Sequence, residues 1–161
     1  MLRKFLLEGE YDLFDNDSGE KFWGNVGAGI LPIAKDTGRI LLPYRSKYVN
    51  EPHTWGVWGG KIESGENPKS AALREFKEET KYNGNIKLID AYIFKAKGFS
   101  YYNFLGITEH EFVPNLDWET ETFKWVELSE IDDLDLHFGL ADLLKNSKSL
   151  IDKTIKDVKK C

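Results

Sequence analysis

The chain has 161 residues, 41% of them hydrophobic and 30% charged, which suits one globular domain and excludes a disordered or fibrous polypeptide. A net charge of −5 with no long basic run excludes a tight, sequence-independent grip on a nucleic acid backbone, although a metal ion could still bring a nucleotide to so acidic a protein. The one cysteine, Cys161, excludes an intrachain disulfide, and the few apolar residues of 1–7 are too short to span a bilayer. The expected compartment is the cytoplasm.

Residues 1–24 read as an N-terminal arm, set off from the core by the turn-rich Asp15-Asn16-Asp17-Ser18-Gly19. The apolar run 26–34 predicts a buried strand. Asp36-Thr37-Gly38 is a turn signal, and 39–45 completes a hairpin in which Pro43 marks an edge or a strand end. A loop rich in turn formers and tryptophan is expected over 49–65. Asn67-Pro68 then opens a helix, with asparagine as N-cap and proline in the first turn, where its missing N–H is not needed. The helix is expected to run to about Tyr82 and to stop at Asn83-Gly84. Strands follow over 86–95, 99–107 and 122–128, and helical spacing returns over 139–160. The whole predicts a single domain over 1–161 of α/β sandwich type, with no internal repeat.

The mid-chain helix predicts two faces at about 100° per residue. Leu73, Phe76 and Thr80 point to a core, whereas Glu75, Glu78 and Glu79 are i, i+3 and i+4 neighbours on another side, with Arg74 beside them. Like charges so placed repel. A divalent cation removes that penalty, because hard ions such as Mg²⁺ take carboxylate oxygens together with substrate phosphates. A merely solvated acidic face is the bland alternative.

The spacing decides between them. Gly60, five residues, Glu66, seven residues, Arg74-Glu75-Phe76, one residue, Glu78-Glu79, one residue and Lys81-Tyr82 resembles the Nudix box over 60–82, departing from it only at Lys81, where the family has glycine. Asn83-Gly84 is expected to end the helix in that glycine's place. The resemblance implies a Nudix-type α/β/α sandwich with a mixed sheet and a loop–helix–loop catalytic motif. It also implies an enzyme that cleaves a diphosphate bond in a nucleoside diphosphate-X or nucleoside triphosphate, by attack of a metal-activated water, with Mg²⁺ as cofactor and Mn²⁺ as a substitute.

Carried over position by position, Glu78 and Glu79 become metal ligands, joined by the backbone carbonyl of Gly59. Glu75 becomes a ligand or the general base. Arg74 would orient the cluster, Glu66 would brace the loop or hold water, and Gly59 and Gly60 would let backbone approach metal and phosphate. Further ligands of this kind come from beyond the box, and a likeness over 102–139 to a short bacterial and phage subgroup favours Glu119 over Glu121. Among substrate contacts, Arg45 is a candidate for a phosphate or for a surface ion pair, and Trp58 and Tyr101 for base stacking or core anchoring. Tyr101 and Asn103 are expected on one side of their strand, and Tyr102 and Phe104 on the other. His53, His110 and His137 are too scattered for a zinc site.

The expected partner is a small nucleotide-type molecule, and the expected state is a monomer or homodimer. A catalytically silent nucleotide-sensing module is the alternative, though such proteins tend to lose box carboxylates. An isomerase on the same fold would need a carbon-directed acid such as cysteine in the pocket, and the only cysteine is Cys161.

Overall fold

The computed structural model describes residues 25–160, so the arm expected over 1–24 and Cys161 lie outside the described residues. A six-stranded mixed sheet runs in the order β4-β5-β1-β2-β6, with β3 paired to β1. The strands are β1 (Asn25–Ala34), β2 (Ile40–Arg45), β3 (Trp58–Lys61), β4 (Ile86–Ala96), β5 (Phe99–Thr108) and β6 (Thr120–Val126); the helices are α1 (Pro68–Thr80) and α2 (Phe138–Lys159), preceded by a 3-10 turn at Leu128–Asp133. Among the described strands, β1 and β5 are the one parallel pair, over ten registered positions from Asn25↔Phe99 to Ala34↔Thr108.

Side-chain alternation along β1 separates two cores. Ala28 and Ile30 face α1 and pack with Leu41, Trp58, Ala71, Ala72, Phe76 and Phe104. Leu31 and Ile33 face the other way and meet Ile40, Leu42, Leu105 and the α2 residues Leu140, Leu143, Leu144 and Ile151. Tyr102 joins the α1 side and Tyr101 the opposite side, as their alternation predicts. The result is a helix on each face of a sheet, an α/β/α sandwich. Helix α2 kinks at Ser147 (φ −132°, ψ 15°), whose hydroxyl lies 3.5 Å from the Ala91 carbonyl. Ala91 falls between Asp90 and Tyr92, where the β4 register also shifts.

Strands β1 and β2 share only the pair Ile33↔Ile40 before they part. Into the opening come β3, which pairs with β1, and residues 53–56, which follow β2. Strand β3 falls within the stretch expected to be a loop. Pro43 lies in an interior strand rather than an edge, but on the side where β1 has left. Its carbonyl accepts from the Gly56 N–H at 3.0 Å on that side, so its missing N–H takes nothing from the β6 ladder.

Helix α1 begins as predicted, with Asn67 Oδ1 accepting from the Ser70 N–H at 2.8 Å and Pro68 in the first turn. It ends earlier than predicted, at Thr80. Lys81 itself takes the left-handed conformation (φ 61°, ψ 18°), and its N–H donates to the Lys77 carbonyl at 2.8 Å. The lysine thus adopts the glycine-like backbone instead of passing the task to Asn83-Gly84. Its ammonium, 2.5 Å from the Glu78 carbonyl, satisfies one of the carbonyls left open at the helix end.

Candidate active site

Strand β3 and helix α1 bring the acidic face together. Gly59 stands opposite Gly29 in the β1–β3 ladder, and its N–H points away from β1 to Glu79 Oε1 at 3.2 Å. In an antiparallel strand the N–H and C=O of one residue leave on the same side. The Gly59 carbonyl is therefore directed to the same edge as Glu79, where the resemblance puts a ligand oxygen.

The two glycines are required sterically. A Cβ on Gly60 would lie 2.6 Å from Glu75 Cδ, and one on Gly59 would overlap the Ala28 carbonyl, Gly29 Cα and the Tyr101 hydroxyl. Either side chain would displace the carboxylate or part the strands.

The three helix carboxylates differ in environment. Glu79 is buried, with its Oε1 accepting from the Gly59 N–H. Burial first, then the charges of Glu119, Glu75 and Asp117, push its carboxyl well above the usual carboxylate range. Glu75, with a side chain 16% exposed, is raised mainly by burial and pulled back by Arg74. Glu78 is 57% exposed and leans on Arg74 Nη1 at 3.3 Å. Burial and neighbouring negative charge thus disfavour the ionised form of Glu79, a cost that a proton or a hard cation offsets.

Arg74 organises the cluster from below. Its Nε and Nη2 donate to the two Glu66 oxygens at 2.7 and 3.0 Å, Nη1 donates to Glu75 at 3.1 Å, and Nη2 donates to the Lys61 carbonyl at 2.9 Å. The bond to Glu66 does most to hold the guanidinium charged, and the same bond holds the Glu66 carboxyl below its usual value. Glu66 also accepts from the Glu63 N–H at 2.9 Å, which closes the loop ahead of α1. Its position is that of a brace.

Beyond the box, the Glu119 charge is the leading charge effect on Glu79, whereas Glu121 lies 3.7 Å from His53 Nε2. Asp117, which accepts from the Glu119 N–H at 3.0 Å, adds a further charge that the box pattern could not reveal. The donor set fits a hard cation in kind: buried carboxylates, a backbone carbonyl and room left by two glycines. Among the described residues, no three carboxylate, histidine or cysteine groups converge on one ion-sized point as placed. Glu78 is turned toward Arg74 and exposed.

Arg45, Trp58 and Tyr101, the other expected contacts, are buried. Arg45 is buried, with Nε donating to the carbonyls of Asn50 at 2.9 Å and Glu51 at 3.2 Å, so its guanidinium holds the loop after β2. Trp58 has no exposed surface; it packs edge-on to Phe76 and donates Nε1–H to the Leu41 carbonyl at 3.1 Å. Tyr101 is buried over Gly27, Gly29 and Gly59 beside Phe94 and Phe99, directly behind the site. His137 caps α2, its Nδ1 accepting from the Gly139 N–H at 2.9 Å.

A sequence profile of the NUDIX domain matches residues 24–146. The chain belongs to the Nudix family. Among curated relatives, a Mycobacterium tuberculosis protein named "Putative 8-oxo-dGTP diphosphatase 3" is 30% identical over 139 residues, covering 78% of this chain but 63% of its own. The chain therefore spans less than two thirds of that Nudix relative. An "RNA pyrophosphohydrolase" of Azorhizobium caulinodans is 38% identical over 61 residues, 36% of each protein. Among solved structures, the fold is shared with a C. elegans Ap4A hydrolase binary complex (TM-score 0.64, 24% identity, 80% of this chain and 98% of that one). It is also shared with the NUDIX domain of Shewanella oneidensis NrtR complexed with ADP ribose (TM-score 0.67, 16% identity, 88% and 98%). The described residues contain no helix long and apolar enough to cross a membrane.

Proposed function

We propose that this Nudix chain, acting as one domain, hydrolyses a diphosphate bond in a nucleoside diphosphate-X or nucleoside triphosphate. The observation that carries the reading is the buried Glu75–Glu79 pair, pressed between Gly59, Gly60 and Arg74. Burying two acids side by side is costly for folding, and a cation-dependent reaction gives that cost a purpose. A bound Mg²⁺ or Mn²⁺ would neutralise phosphate oxygens and acidify water. Glu79, Glu78, Glu119 and the Gly59 carbonyl would hold it. Glu75, less buried than Glu79 and tuned by Arg74, is suited to accept the proton of the attacking water. Arg74 and Glu66 keep that carboxylate aimed, and the open backbone at Gly60 admits a phosphate. The lone cysteine suits a reducing cytoplasm.

Nucleotide diphosphatases recur among the names of the relatives, which supports the substrate class. The test is a panel of 8-oxo-dGTP, ordinary dNTPs, a dinucleoside polyphosphate, ADP-ribose and capped RNA, incubated with Mg²⁺ or Mn²⁺ and scored by phosphorus products. Glu79→Gln should lower kcat/KM on the hydrolysed substrate by roughly 100-fold or more, as loss of a charge-stabilising group does. Recovery of every compound unchanged from the parent protein would favour the silent-module reading. Turnover by the variant equal to the parent's would overturn the assignment of Glu79.

A further inference from the structure

Four large hydrophobic side chains stand exposed among the described residues: Tyr48, Ile93, Val113 and Trp118. Two of them, Tyr48 (68% exposed) and Trp118 (63%), belong to loops far apart in sequence that one hydroxyl joins. Ser46 Oγ donates to the Trp118 carbonyl at 2.8 Å and lies 3.3 Å from the Tyr48 N–H, while the Ser46 N–H donates to the Glu119 carbonyl at 3.0 Å. The Trp118 loop is also tied to the catalytic helix, because the Asn115 N–H donates to the Thr80 carbonyl, one residue past Glu79, at 2.9 Å.

The Tyr48 loop is held in an unusual shape. Glu51 (φ 51°) and His53 (φ 59°) both take left-handed backbone, and the buried Arg45 gathers the Asn50 and Glu51 carbonyls beneath them. Two such residues cost energy that ordinary loops avoid. Lys47 Nζ sits 5.1 Å from the centre of the Tyr48 ring, a cation–π contact on one face of a side chain that stays exposed. Two aromatic rings in water, on loops braced against each other and next to Glu119, suit contact with a flat partner.

We infer that Tyr48 and Trp118 form an aromatic rim that stacks the nucleobase of the substrate whose phosphates reach the Glu75–Glu79 site. This deepens the hydrolase reading and rests on it, since it assigns base recognition to side chains outside the Nudix box. The two residues are specificity-determining, not catalytic. Stacking tolerates any base, so the rim favours base-bearing phosphoanhydrides over bare polyphosphates without selecting a purine edge.

The experiment measures kcat and KM for a hydrolysed nucleotide and for inorganic tripolyphosphate in the parent, Trp118→Ala, Trp118→Phe and Tyr48→Ala, with Ile93→Ala as an exposed control. AMP binding, read by calorimetry, adds a measurement that needs no turnover. Trp118→Ala should raise KM for the nucleotide, and Kd for AMP, about tenfold, the range of a lost base stack, with kcat changed by less than about twofold. Tyr48→Ala should act in the same direction, Trp118→Phe should recover most of the loss, and Ile93→Ala should match the parent. Parent-like KM and AMP affinity in both alanine variants overturns the rim, as does an equal loss with tripolyphosphate, which would mark a purely structural role. A parent that binds AMP through Trp118 but hydrolyses nothing keeps the rim and overturns the hydrolase reading; a parent that hydrolyses nucleotides with no dependence on either ring does the reverse.

Discussion

The two faces of helix α1 are built from the same thirteen residues and serve folding in opposite ways. On one, Ala71, Ala72 and Phe76 are fully buried against β1, β3 and Tyr82. On the other, Glu75 and Glu79 are buried against each other and against backbone, in a pairing that requires a proton or a cation. The apolar face stabilises the fold under all conditions, whereas the acidic face stabilises it only with a positive partner. Arg74 shows how the second face is made tolerable, because it spreads one charge over Glu66, Glu75 and Glu78 while leaving Glu79 uncompensated.

The sharpest way to break the comparison is to damage the apolar face. Phe76→Ala should lower the unfolding free energy by about 3–5 kcal/mol, in denaturant melts with or without Mg²⁺, because it leaves a cavity in a packed core. A loss that Mg²⁺ abolished would mean the two faces are not separable.

The acidic face should respond to pH with the opposite dependence on cation. Glu79 has a folded-state carboxyl raised above its unfolded value, so its protonated form is the one the fold prefers. Stability from this group is full below the unfolded value, near pH 4.5, and is lost as pH rises toward the folded one. Metal-free protein should therefore melt at lower temperature as pH is raised from mildly acidic to neutral, and Glu79→Gln should flatten that slope. Glu66 contributes in the reverse sense, gaining above its unfolded value and losing as pH falls, and Glu66→Gln in a Glu79→Gln background isolates it. A parent slope that survives Glu79→Gln would place the titrating group elsewhere.

The end of α1 offers the smallest effect. Lys81 holds a left-handed backbone that costs an L-residue about 1–2 kcal/mol relative to glycine. Lys81→Gly, which restores the residue usual to the family, should raise stability by roughly 1 kcal/mol, with activity unchanged. A destabilised variant would show that the ammonium contact to the Glu78 carbonyl outweighs the backbone strain.

Periodicity along α1 was legible because it is local: Asn67, Pro68 and the carboxylate spacing report on one turn at a time. Strands β1, β4 and β5 were legible for the same reason. Strand β3 was not, since Trp58-Gly59-Gly60-Lys61 is short and two glycines argue against a strand. Those glycines are there because Glu75 and Tyr101 occupy the space a Cβ would need, a fact only the assembled fold contains. The helix end was misplaced because Asn83-Gly84 is a stronger stop signal than a lysine, and nothing local announces a left-handed lysine. Arg45 and Trp58 were read as possible substrate contacts from their residue types. Their burial depends on how residues 46–57 fold back along β2, which is set by tertiary contacts. The choice between Glu119 and Glu121 rests on a likeness beyond the box; in the fold the Glu119 charge bears on Glu79, while Glu121 lies 3.7 Å from His53.

Cation binding at the Glu75–Glu79 pair is the claim on which the rest depends, and calorimetric titration with Mn²⁺ between pH 6 and 8, in parent and Glu79→Gln, tests it most directly. If the ion replaces the proton on Glu79, the parent should release close to one proton per ion, and its affinity should rise up to about tenfold per pH unit while that proton is still bound. Glu79→Gln should bind far more weakly and lose the dependence. Parent and variant binding Mn²⁺ alike, or binding in the parent that ignores pH and releases no proton, would contradict the account.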